Sequence, residues 1–571
     1  MTQPWQYVVS MPQPENHLFN IQLTICDWDA DFLDLHLPVW SPGSYLVREY
    51  AKNLQDFKAI DQNGKSLNWL KITKNHWRVE SLKQTCQISY KIFANELTVR
   101  TNHLDDTHGY FNGAATFMFV PNYENHPFTV EIVVPKNNWE IATALPHFEN
   151  HASIFFADRY DQLADSPFEI GIHTQVKFEV LGKSHEIIIW GDGNPDLGQI
   201  EQDTKAIIAT EAELFGGLPY DRYLFILHLA NGYGGLEHRN CCSLIYPRFN
   251  FRGDHYLKFM NLVAHEFFHT WNVKRIRPKA LETYNYDQEN YTSSLWFAEG
   301  ATSYYDQIIP LRAKIYGKDH FLKSLGETIT RLQNTPGRQV QSLYESSFDT
   351  WIKLYRPDAN SPNSQISYYL KGELVCMLLD LAIRNSSQNR RSLDDVMRSL
   401  WQYYGKPEIG YTEGELYAVI ETVAGTNLQD FFLKYIHSTD ELDFNYYFEP
   451  FGLELYAGYA QKSVYTGISV RSNNGVVTVK SVDANSPAQL VGIDANDEIL
   501  AINGFRVTAE AFGDRLLDFK PHTEITITLF KQDQLKTVTL RLEQPRCDRF
   551  MISEVKNPTP TQQKNLQNWL D

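Results

Sequence analysis

Apolar residues recur at every second position through the first third of the chain. WQYVVSM, LFNIQLTI, QISYKIFA and FTVEIVVP alternate apolar with polar residues, and Pro, Gly and Asn separate them. A half-buried strand imposes that period, because successive side chains point to opposite faces. Residues 1–175 therefore predict an N-terminal β domain, an antiparallel sandwich or saddle-like sheet. After HEIIIWGDGNPD the period lengthens. IEQDTKAIIATEAELFG has helical spacing, YLFILHLA reads as a buried strand, and 258–276, 291–312, 369–385 and 412–437 read as helices. Residues 176–450 thus predict a mostly α domain with a small sheet near its start. From about 455 the period returns to two in GISV, VVTVKSV, EILAING, EITITLF and TVTLRL, interrupted by one helix, AEAFGDRLLDF. Residues 455–545 predict a compact β domain, and 546–571 a polar C-terminal tail. The expected class is multidomain α+β.

Length and composition agree with several folded domains. The 571 residues exceed what one core sustains, and 43% hydrophobic with 13% aromatic content describes globular material. A net charge of −17 with no basic block argues against nucleic acid and against anionic membrane surfaces. It suits cationic partners, such as peptides with a free amino terminus. The six cysteines are scattered, with no C-x-x-C pair, so reduced thiols and a cytoplasmic location are expected. The first residues read as a strand, and no run approaches the roughly 18 apolar residues of a spanning helix, so no membrane association is expected.

The chemistry concentrates in HEFFHTWNVKRIRP, residues 265–278. On a helix His265 and His269 share a face, and Glu266 lies one step round it. Two neutral imidazoles and a carboxylate leave zinc one position for water, whose pKa the metal lowers. The surrounding Phe259, Val263 and Phe267, with Met260, Ala264 and Phe268 beside them, make this helix apolar nearly all round. It should be buried. The alternative is a core helix with two satisfied histidines, and a third ligand decides between them. About thirty residues downstream, LWFAEGATSYYDQ places Glu299 in an apolar-to-small helical segment. Lys274, Arg275 and Arg277 follow the motif and are expected to compensate helix carbonyls and pair with acids, without a chemical role.

H-E-x-x-H followed by W-x-x-E-G-x-x-x-x-Y, with Trp296, Glu299, Gly300 and Tyr304 in place, resembles the gluzincin metallopeptidases. NGYGGLEHRNCCSLIYPRF, LADSPFEIG and VWSPGSYLVREYA narrow the resemblance to the glycyl aminopeptidase family, gluzincins with a PDZ domain near the C-terminus. It implies a thermolysin-like catalytic domain with one Zn2+ per chain on His265, His269 and Glu299, and Glu266 as general base. Gly234, Gly235, Leu236, Glu237 and His238 resemble the G-x-x-E-N element of the aminopeptidase N group, with His238 standing where those enzymes have Asn. There a sheet edge pairs with the substrate and the glutamate holds its ammonium; read without the zinc motif, Glu237 is an exposed acid in a Gly-rich turn. Tyr369 in SYYLKGE matches Y-x-K-G and would donate to the oxyanion, although it is one of 32 tyrosines.

SPAQLVGIDANDEILAINGFRV resembles a PDZ element, with Tyr465, Thr466, Gly467 and Ile468 at its carboxylate loop and Thr466 replacing the usual apolar residue. A peptide ligand and a purely structural PDZ both remain open there. The leading expectation is a zinc aminopeptidase removing small amino-terminal residues, glycine or alanine by resemblance. A PDZ-assisted zinc endopeptidase and a non-catalytic PDZ adaptor are the alternatives.

Overall fold

The computed structural model describes residues 3–571. The fold is multidomain α+β, and the chain divides into two compact units. The first takes residues up to Thr292 with Arg312–Ile315 and Met397–Thr412; the second takes Ser293–Leu311, Tyr316–Val396 and Glu413–Asp571.

The first unit begins with the alternating strands. Leu18–Ile25 (LFNIQLTI) buries every second side chain, as its pattern requires. It lies centrally in a six-stranded sheet between Trp5–Ser10 and Cys86–Phe93. A three-stranded sheet built on Phe32–His36 and a four-stranded sheet holding His103–Leu104, His108–Phe111, Phe168–Gly171 and Glu140–Thr143 accompany it. A five-stranded mixed sheet follows, ordered Thr174–Val180, Lys183–Trp190, Arg222–Leu229, Cys241–Tyr246 and Gly234–Glu237. Its inner strands run parallel, and RYLFILHL and CCSLIY are near-continuous apolar runs because both faces are covered. The short strand Gly234–Glu237 pairs antiparallel with Cys241–Tyr246 and forms the sheet's edge.

One buried polar group ties sheets of this unit together. Glu169, fully buried, accepts from His108 Nδ1 at 2.9 Å and from His228 Nε2 at 2.9 Å, with both rings also fully buried. His108 stacks on Trp190 at 3.6 Å.

The motif helix runs Gly253–Phe268, shorter than the expected 258–276 at its C-terminal end. Thr270, Trp271 and Asn272 are weak helix formers, and the chain turns back there through Ile276 N–H to Trp271 O at 2.7 Å.

In the second unit the segment expected as one helix, 291–312, is two: Leu295–Ala298 and Gly300–Arg312, parted at Glu299. Lys318–Gln333 and Tyr368–Ser386 are the long helices behind them. The C-terminal β domain is a sheet ordered Ile468–Asn473, Val476–Val482, Glu498–Ile502, Glu524–Lys531 and Gln534–Arg541, over a core of Val479, Ile502, Ile527 and Leu540. The last residues, expected to be a polar tail, instead carry a strand, Arg549–Glu554, and a helix, Pro560–Leu570. That strand pairs with Leu453–Gly458. PTQQKNLQNWL buries only Leu566 and Trp569, too narrow a stripe to read as a helix from hydrophobicity. Its Thr559/Gln562 capping box was the legible signal.

Candidate active site

The motif helix lies in the first unit. Its apolar row is buried, with Phe259, Val263 and Phe267 each at 2% exposure or less. That packing orients the opposite face. His265 is half-buried and His269 buried at the helix end, their ring centroids 4.7 Å apart and nearly perpendicular. His269 Nδ1 donates to the Asn272 carbonyl at 2.6 Å, which leaves its Nε2 as a lone pair. The turn after Phe268, which shortens the helix, thus fixes the orientation of the His269 ring.

Glu266 is 5% exposed, and its Oε2 has no hydrogen-bond partner among the described residues. Burial pushes its carboxyl up to about 7; His265 and His269 oppose the rise, Glu237 reinforces it, and Arg100 opposes it. The edge strand runs directly over this carboxylate. A Cβ on Gly235 would lie 2.2 Å from Glu266 Oε1, so any side chain there would displace that carboxylate. Two positions on, Glu237 is also buried, with Oε1 unpartnered among the described residues. Ligand atoms of Glu237, Glu266 and His269 all lie within 4.8 Å of one another. Arg100 sits beside them and donates from Nη2 to the Gly235 carbonyl at 2.9 Å.

In the second unit Glu299 sits at the helix break, 1% exposed. Gly300 packs against Gly372, where a Cβ would meet main-chain atoms at 2.5 Å. The two glycines of E-G and Y-x-K-G therefore exist for one close helix contact, which sets Glu299 near Tyr369. Burial first, then the Glu299 carboxylate and Tyr355, push the Tyr369 phenol well above its ordinary range. It stays protonated and able to donate. Tyr304, the last position of the W-x-x-E-G-x-x-x-x-Y motif, donates to Asp380 Oδ2 at 2.7 Å and accepts from Trp569 Nε1 at 2.8 Å. Its part is structural.

Profiles of the Peptidase M61 N-terminal domain, of M61 glycyl aminopeptidase and of a PDZ domain match residues 6–172, 258–375 and 464–542. The crystal structure of an aminopeptidase N family protein from Idiomarina loihiensis is 31% identical, covering 99% of this chain and 100% of that one, with a TM-score of 0.94. The chain belongs to the M61 glycyl aminopeptidase family. Membership makes it a zinc metallopeptidase of the aminopeptidase type. An M1 zinc metallopeptidase mutant from Deinococcus radiodurans is 13% identical at a TM-score of 0.49, covering 77% of this chain and 95% of that one. A likeness that weak carries no weight for activity. No curated protein matches the sequence.

This M61 aminopeptidase also uses residues that its motifs left without roles. Asp165, from LADSPFEIG, accepts from His238 Nδ1 at 3.1 Å, from Lys274 Nζ at 2.7 Å and from the Arg239 N–H at 2.8 Å. Burial would raise its carboxyl, but Lys274 and His238 hold it well below the usual range. His238 is thereby braced beside Glu237, and Lys274 has the acid-pairing role expected of it. Arg275 donates to the carbonyls of Thr270 and Arg239, compensating the helix end. Gly43, from VWSPGSYLVREYA, has φ +87°, and a Cβ there would lie 2.3 Å from Glu237 Oε1. Arg100 carried no motif signal at all.

In the aminopeptidase's PDZ domain, Tyr465 donates to Asp483 Oδ2 at 2.7 Å, and the Gly467 carbonyl accepts the Asp483 N–H at 2.8 Å. Buried Thr466 accepts the Ile468 N–H on its hydroxyl at 3.2 Å. One N–H of the expected carboxylate loop is already engaged. Among the described residues no helix is long and apolar enough to cross a membrane.

Proposed function

We propose that the enzyme removes small residues, glycine or alanine, from peptide amino termini, with one catalytic zinc on His265, His269 and Glu299 and with Glu266 as general base. The donors suit that ion: two imidazoles, one already oriented through its other nitrogen, and a buried carboxylate. Zinc bound there supplies Lewis-acid polarisation of the scissile carbonyl and lowers the pKa of the attacking water. Glu266 takes that water's proton on Oε2, unpartnered among the described residues, and returns it to the leaving amine. Tyr369, kept protonated, donates to the developing oxyanion. The edge strand Gly234–Glu237 offers main-chain groups to a substrate laid alongside it.

The observation that carries this reading is the Glu237 carboxylate, 4% exposed, with one oxygen unpartnered among the described residues, beside Glu266 and His269. A carboxylate so placed rewards an ammonium one residue from the scissile bond. The preference for glycine or alanine is the one that membership of the M61 glycyl aminopeptidase family suggests. Chromogenic anilides of Gly, Ala, Leu and acetyl-Gly test it. Gly and Ala should outpace Leu, and acetylation should abolish cleavage. Glu237→Gln should lower kcat/KM about 10- to 100-fold, the worth of a hydrogen bond to a charged group. Acetyl-Gly cleaved as fast as Gly would make the enzyme an endopeptidase instead.

A further inference from the structure

A phenol that donates to an oxyanion must point its proton there, and a donor to its oxygen fixes that direction. The Tyr369 hydroxyl has a neighbour suited to that task. The Tyr355 hydroxyl lies 3.0 Å from it, while the Tyr368 ring stacks on the Tyr369 ring at 4.6 Å. With Tyr355 donating, the Tyr369 proton is turned away from Tyr355, and the chain of two hydroxyls strengthens the outer donor.

Tyr355 belongs to the segment between the turn at Asp349–Trp351 and the helix Tyr368–Ser386. This segment is mostly polar (YRPDANSPNSQ) and has little apolar surface to hold it. Its start is bonded locally, the Tyr355 N–H to the Thr350 carbonyl at 3.3 Å, and Asn363, 9% exposed, in the short helix Ser361–Ser364 ties it to the PDZ domain. Asn363 Nδ2 donates to the Val482 carbonyl at 2.8 Å, and its Oδ1 accepts the Ala484 N–H at 2.9 Å. Both partners are PDZ main chain, at the end of the strand Val476–Val482. Asp483, between them, is the residue that holds Tyr465 and Gly467. One amide side chain thus grips the PDZ turn at two points, as a paired strand would.

We propose that Tyr355 is a positioning residue for the Tyr369 hydroxyl, and that the PDZ domain, gripping Asn363, holds the segment that carries Tyr355. The proposal rests on Tyr369 as the oxyanion donor inferred above. It gives the PDZ domain work in the reaction that needs no peptide ligand.

Full-length, zinc-loaded Y369F, Y355F, N363A and the doubles Y355F/Y369F and N363A/Y369F test it on glycyl anilide. Y355F should lower kcat about five- to tenfold, the worth of one hydrogen bond, with KM and zinc content unchanged. N363A should lower kcat in the same way. In the Y369F background neither change should cost anything further, because both act through that hydroxyl. A general structural role would add its full loss to Y369F, and that result overturns the proposal. So does a Y355F enzyme with wild-type kcat while Y369F is impaired. Wild-type activity in Y369F would instead remove the oxyanion donor, and the proposal with it.

Discussion

Glu266 and Glu237 share one buried space with His269, and each has one oxygen without a hydrogen-bond partner among the described residues. Burial holds the Glu266 carboxyl up at about 7, and a divalent ion beside it would draw it down, readying it to accept a proton near neutrality. Glu266→Gln keeps the volume and removes the base. It is expected to cut turnover about 10²- to 10⁴-fold and to leave zinc content at the wild-type level. Metal analysis alongside kcat checks both halves, and persistent turnover in that variant would end the assignment of Glu266 as base. The H-E-x-x-H spacing made these residues legible in the sequence. Gly43, Arg100 and Asn272 were not legible, because each acts through a main-chain approach, a long reach or a carbonyl, none of which leaves a local pattern.

Among the elements, the edge strand Gly234–Glu237 and the broken helix at Glu299 matter most to the chemistry. A side chain on Gly235 would displace Glu266, and Gly300 meets Gly372 where a Cβ would strike main chain. The sheets of the first unit depend on Glu169. Burial disfavours its charge, yet His108 and His228 hold its carboxyl down at about 2. Its folded pKa is below the ordinary value of about 4.3, so its stabilisation is present above that pH and lost as pH falls towards 2. Burial also lowers the pKa of His228, which destabilises in the same sense once pH drops below about 6.5. Glu169→Gln leaves the two imidazoles short of their shared acceptor and should cost about 3–5 kcal/mol near pH 7. Apparent Tm measured from pH 7 to pH 3 should show the gap to wild type narrowing as the solution is acidified. A gap that is constant with pH would mean that the ionised carboxylate contributes nothing.

For the molecule as a whole, the C-terminal segment is the part that periodicity misread. Trp569 is fully buried, donates to Tyr304 and packs against Phe321 and Phe451 at ring separations of 5.6 and 5.9 Å. The final helix therefore closes the core behind the helix that begins at Gly300. Trp569→Ala should destabilise the second unit by about 3–5 kcal/mol through the cavity it leaves. Thermal melts should show this as a lowered apparent Tm, and an unchanged melt would return the segment to the dispensable tail that its composition suggests.

The sequence by itself determined the α+β class, since periods of two and 3.6 are written into single strands and helices. It also determined the family, through motifs whose spacing a short helix reads directly. Tertiary structure alone decided which side chains meet across distant segments: Gly43 with Glu237, Arg100 with Gly235, Asp165 with His238, Tyr355 with Tyr369, and Asn363 with the PDZ turn. A local pattern reports only the faces of one element. Contacts between residues tens to hundreds of positions apart arise when those faces pack, and packing is a property of the whole chain.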